Sequence, residues 1–172
     1  MLALDPRLAA ETAPVAKLQL CRVLLMRDQR FPWLVLVPER EEMKELHDLS
    51  HADQRQIMNE VARASRVLER LFRPDKINVG ALGNVVPQLH VHVVSRKKED
   101  AAWPGPVWGA GEKQAYDEAG LLVRLRRLRE AFAEAEEQAR AEARGRPGDR
   151  ERERDRRGPG GARPSPRPPR PR

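Results

Sequence analysis

The chain has 172 residues, a size that fits one domain with extensions, and carries a formal charge of +7. Pro147 to Arg172 holds nine Arg against four acidic residues, so the first 146 residues carry only about +2. A basic stripe on a folded domain, the usual mark of a nucleic-acid binder, is therefore missing, and specific nucleic-acid recognition is not expected. The single cysteine, Cys21, excludes an intrachain disulfide and fits a reducing compartment. Neither a bilayer-spanning apolar run of about 20 residues nor the basic segment and apolar core of a secretory signal is present, so a cytoplasmic address without membrane attachment is expected.

Asp5-Pro6-Arg7-Leu8-Ala9-Ala10-Glu11-Thr12 predicts a short helix, with Asp5 as cap and Pro6 at the first position. Leu18–Arg27 reads as a strand, Asp28-Gln29-Arg30 as a polar turn, and Trp33–Val37 as a second strand, together a hairpin. Both strand faces are largely apolar, which predicts a sheet covered on more than one side. Glu39–Leu49 is charged, with Met43, Leu46 and Leu49 at helical spacing. Ser50 and Asp53 then form a weak capping box, followed by the clearest helix, whose apolar face is Ile57, Val61, Ala64, Leu68 and Leu71 and whose stop is Pro74.

Lys76–Gly80 and Gln88–Ser95 read as strands joined by a turn at Ala81-Leu82-Gly83-Asn84. An antiparallel sheet with a helix packed on it, an α+β fold, is the simplest compact solution. Pro and Gly around Trp103 and Trp108 predict an irregular segment that either covers a pocket or staples a later helix. From about Glu112 to Arg144 the composition is strongly helix-forming. Leu121, Val123, Leu125, Leu128 and Phe132 supply its early apolar positions, and the helix is expected to dock through its first half. The tail from Gly145 is rich in Arg, Pro and Gly, which predicts disorder. The expected organisation is a main domain over 1–110, a helical extension over 111–144 and the tail over 145–172.

Side chains two apart on a strand share a face, which groups Gln88, His90 and His92 and sends Leu89, Val91 and Val93 to the core. Two imidazoles on one rigid element suit a nucleophile beside a proton donor. Two other readings stay open. His47 and His51 could join the pair in a metal site, or the histidines could be purely structural.

Gln88-Leu89-His90-Val91-His92-Val93-Val94 resembles the signature of the histidine triad (HIT) proteins, and the resemblance extends over about residues 15–100. Phe31–Pro38, the segment from Leu46 through the long helix, Lys76–Gly80 and the Gly83-Asn84 turn are each similar to the matching parts of that family. The resemblance implies a small antiparallel α+β unit, commonly a homodimer, with no cofactor. It implies a nucleotide or dinucleoside polyphosphate substrate, or a nucleoside phosphoramidate, cleaved through a nucleotidyl-histidine intermediate. His90 would be the nucleophile and His92 the neighbour that meets phosphate or leaving-group oxygens. Gly83 and Asn84 would lie by the phosphates, and Asn78 would contact the nucleotide or support the site.

Three positions depart from the family. Gln88 replaces the first triad histidine and cannot titrate. Val85 stands where a hydroxyl donor is frequent, and Trp33 stands where many members have a histidine, there either packing on a base or filling the core. The segment from Asp100 to Gly109 resembles a bacterial branch of the family. A nucleotide-binding module with little turnover, and an interaction protein using the C-terminal helix and tail, are the alternatives.

Overall fold

The computed structural model describes residues 2–144. Residues through Glu136 form one compact unit, and Glu137 begins a second. The expected tail over 145–172 lies outside the described residues.

Helix α1 (Pro6–Glu11) starts as predicted, with the Asp5 carboxylate accepting from the Arg7 N–H at 2.9 Å. The expected strand over Leu18–Arg27 is shorter, and a strand not foreseen precedes it. Strand β1 (Thr12–Lys17) pairs antiparallel with β2 (Cys21–Met26), and Leu18 to Leu20 make the turn between them. Pro14 disguises β1 in the sequence because it lacks an N–H. With β3 at Trp33–Pro38, β4 at Lys76–Gly80 and β5 at Val91–Arg96, the sheet order is β1-β2-β3-β5-β4, so β1 is an edge, where one missing donor is tolerated. A register shift between Pro14 and Ala16 bulges the strand at the same place.

Strand β3 (Trp33–Pro38) follows the predicted hairpin turn. The apolar spacing over Glu39–Leu49 yields only one 3-10 turn at Leu46–Asp48, the rest being irregular. Helix α2 (His51–Phe72) carries the predicted face: Ile57, Val61, Ala64 and Leu68 are buried, joined by Val67. Ser50 caps its first turn by accepting from the Asp53 N–H at 3.1 Å. Asp53 does not close the expected box but pairs with Arg40. Arg73 turns left-handed at the C-terminus ahead of Pro74.

Strands β4 (Lys76–Gly80) and β5 (Val91–Arg96) complete the sheet. The last strand, expected from Gln88, starts three residues later, at Val91. The Leu89 N–H goes to the Met43 carbonyl rather than into the ladder, which keeps residues 88 to 90 irregular.

The sheet is covered on both faces, as its apolar strands predict. One face carries Cys21, Val23, Leu25, Leu34, Leu36, Val91 and Val93 against α2 and helix α3 (Glu118–Arg144). Leu125, Leu128, Ala131 and Phe132 sink into this core, so the early turns of α3 dock as expected. Val123, expected among them, is exposed because it falls off the stripe that these residues define. The composition change near residue 110 therefore marks no break in packing. The other face carries Leu24, Trp33, Val35, Val37 and Val94 beneath Leu8, Phe31, Val86 and Val107.

Glu60, buried on α2, accepts from the backbone N–H groups of Leu20 and Cys21, both at 2.8 Å, and so ties the β1–β2 turn to the helix. Burial and the neighbouring Glu60 carboxylate push the Cys21 thiol up, which makes it an inert core residue. Among the described residues no helix is long and apolar enough to cross a membrane.

Candidate functional site

His92 lies in the middle of the sheet, opposite Val35 of β3 and Gly80 of β4, on the face away from α2. His90 precedes the strand, yet the two rings meet edge to face with centroids 4.8 Å apart. Both residues are buried. Strand alternation is therefore not what unites them. His90 Nδ1 lies 2.7 Å from the Gln88 carbonyl oxygen. A carbonyl only accepts, so Nδ1 carries a proton, and in the neutral ring the lone pair is on Nε2.

Beside His90, two indole rings pack on His92. The Trp33 indole N–H donates to His92 Nδ1 at 3.0 Å. Trp108 stands edge-on to both His92 and Trp33, with centroids 5.6 and 6.1 Å away. Gly80 makes room for it: a Cβ there would sit 3.0 Å from Trp108 Cη2. Burial, and then the nearby His90, push the His92 pKa down to about 3, so its ring is neutral at ordinary pH.

The other predicted residues take different places. Gln88 does not join the histidines. Its amide holds the N-terminal segment, with Oε1 accepting from the Asp5 N–H at 2.8 Å and Nε2 donating to the Ala3 carbonyl at 3.0 Å. Gly83 adopts φ +69°, the left-handed conformation that favours glycine, and turns the chain so that Asn84 is exposed. Val85 is exposed and its carbonyl is held by Arg7. Asn78 shares the His92 face of the sheet through its pairing with Val94, and its Oδ1 accepts from Arg96 Nη1 at 2.7 Å. Trp33 is only 7% exposed, which leaves little of its ring for a base.

Arg96 is the residue that sequence reasoning missed. It is buried, forms a two-point pair with Asp100 at 2.6 and 2.9 Å, and lies over the rings of Phe31 and Trp103. The i,i+4 spacing of Arg96 and Asp100 is the only sequence signal for it. Trp103 and Trp108 thus cover the sheet face that holds the histidines and do not staple α3. His47 and His51 are exposed. Among the described residues no three His, Cys, Asp or Glu side chains gather as a metal site, so the four-histidine alternative does not form.

A family model described as the HIT domain matches residues 7–99. A crystal structure of a histidine triad protein from Bradyrhizobium japonicum superposes with a TM-score of 0.73 at 42% identity, over 76% of this chain and 97% of that one. Among curated proteins, the asymmetrical bis(5'-nucleosyl)-tetraphosphatase of Schizosaccharomyces pombe is 29% identical over 97 residues, covering 54% of this chain and 53% of its own. A Mycobacterium tuberculosis protein named AP-4-A phosphorylase is 38% identical over 74 residues, covering 40% of this chain and 37% of its own. The matched region thus spans about half of the first relative's length and less of the second's.

Proposed function

The chain belongs to the HIT domain family, and on that premise we propose that it is a nucleotide hydrolase or nucleotidyl transferase that works through a nucleotidyl-His90 intermediate. The observation that carries this reading is the bond between His90 Nδ1 and the Gln88 carbonyl, which makes Nε2 the lone-pair nitrogen of the neutral ring, beside a second imidazole. Attack by Nε2 on the α-phosphorus forms an N–P bond as the bond to the leaving group breaks. Water or another acceptor then takes phosphorus from Nε2, loses its proton to solvent and restores the imidazole. His92 faces the phosphate or leaving-group oxygens, and backbone N–H groups near Gly83 and Asn84 bind the charged oxygens. The substrate is a dinucleoside polyphosphate, in keeping with the names of the two curated relatives, or a nucleoside phosphoramidate. A homodimer in the cytoplasm belongs to the same proposal.

The test is incubation with diadenosine tetraphosphate and with adenosine phosphoramidate, followed by acid-labile labelling of the protein. The expected result is product release and a label, both abolished by His90→Ala. Gln88, engaged by the N-terminal segment, and Val85, which offers no side-chain donor, favour a second reading as a nucleotide-binding module. Tight binding of both compounds with no product and no label would establish that reading and sink the enzyme.

A further inference from the structure

Trp33 fills a position in the His92 shell where its chemistry leaves one choice. An indole N–H donates and never accepts, and its ring cannot present a second nitrogen. Held at 3.0 Å from His92 Nδ1, it requires a lone pair there, so the His92 proton resides on Nε2. Trp33 is itself clamped: its ring meets Phe31, His92 and Trp108 edge to face, and it is buried between them. The donor cannot swing away without opening this cluster.

We infer that Trp33 is a positioning residue that locks His92 as a neutral Nε2–H donor, and that the site therefore selects leaving groups able to depart without a proton. This rests on the nucleotidyl-histidine reading above and narrows its substrate class to phosphoanhydrides. A neutral imidazole N–H stabilises a developing oxyanion by a hydrogen bond, but it is a far weaker acid than an imidazolium. The oxygen of a departing nucleoside polyphosphate leaves as a stable anion and needs only that hydrogen bond. The nitrogen of a phosphoramidate must gain a proton as its bond to phosphorus breaks, and no group beside His92 supplies one. Of the described residues packed on it, Val35 and Trp33 on β3, Gly80 on β4 and Trp108 are uncharged, and His90 is the only titratable one among them. The low His92 pKa agrees, since the imidazolium is scarce at any pH where the protein works.

The tautomer is read directly in the wild-type protein by nitrogen-15 NMR of the histidine rings. The expected result is a protonated Nε2 on His92 and a nitrogen–nitrogen coupling across the bond to the Trp33 indole. A protonated Nδ1 on His92, or a coupling absent while both signals are resolved, overturns the inference. Turnover gives the second arm. The wild type should prefer diadenosine tetraphosphate over adenosine phosphoramidate at least tenfold in kcat/KM. Trp33→Phe should turn His92 into a mixture of tautomers and lower kcat for the anhydride roughly tenfold with KM little changed. That falls below the ~100-fold typical of deleting a direct donor, because only part of the population is misdirected. Equal or better use of the phosphoramidate, with label still trapped on His90, overturns this inference alone. No label from either compound overturns it together with the hydrolase reading.

Discussion

Arg96→Met tests whether the site is braced by the buried ion pair behind it. The guanidinium is 1% exposed and its partner Asp100 7%. Methionine restores much of the stem's volume, so the loss is mainly electrostatic. The Asp100 carboxylate keeps the N–H groups of Lys97 and Ala102 but loses its counter-charge, and Asn78 loses the donor to its Oδ1. Stranding one partner of a buried pair costs about 3–5 kcal/mol. At roughly 2–4 °C per kcal/mol for a chain of this size, the midpoint should fall by roughly 6–20 °C at pH 7. The double variant Arg96→Met/Asp100→Leu strands no charge and should recover most of that loss. Acid provides an internal check. The Arg96 guanidinium holds the Asp100 carboxyl below its ordinary range, so the pair stabilises the fold above the unfolded value near ~3.9 and loses its contribution as pH falls through the lower folded value. Circular dichroism melts should therefore show the gap between wild type and Arg96→Met closing below about pH 4. A single variant melting within 2 °C of wild type, roughly the resolution of ~1 kcal/mol, would refute the account.

Two further outcomes follow from buried polar groups. Glu60→Gln leaves only one acceptor for the two N–H groups of Leu20 and Cys21, so urea unfolding should report a loss of about 1–3 kcal/mol with kcat unchanged. His92 is held neutral in the fold, with a pKa of about 3, whereas an unfolded chain protonates near ~6.5. The unfolded state thus binds more protons between these values, and stability should decline as pH falls from about 6.5 toward 3. Urea midpoints at pH 7 and pH 5 should fall further for the wild type than for His92→Asn.

The apolar core was legible wherever one periodicity ran unbroken. Helix α2 shows its face in the spacing of Ile57, Val61, Ala64 and Leu68, and β3 is a continuous apolar run. β1 was hidden because Pro14 reads as a breaker unless the strand is known to be an edge, which is a property of the whole sheet. His90 and His92 lie together, as their spacing predicts, but strand alternation does not bring them there. Only His92 is on the strand, and His90 is aimed by its bond to the carbonyl of Gln88. Spacing cannot show that bond, nor the one from Trp33, whose partner is 59 residues away. Arg96 gives no comparable sign, because a charged residue reads as solvated until its partners are seen.

The hold of Gln88 on the N-terminal segment has a practical side. Its amide grips Ala3 and Asp5, Arg7 reaches the Val85 carbonyl, and Arg22 reaches the carbonyl of Leu2. Residues 2–7 are thus stitched to the loop that carries Gly83 and Asn84 and to the carbonyl that orients His90. An affinity tag placed ahead of Leu2 would pull on the same stitches. Kinetic work on His90 and His92 is best done with an untagged N-terminus, and a difference between N- and C-terminally tagged protein would itself measure how tightly the opening residues govern the site.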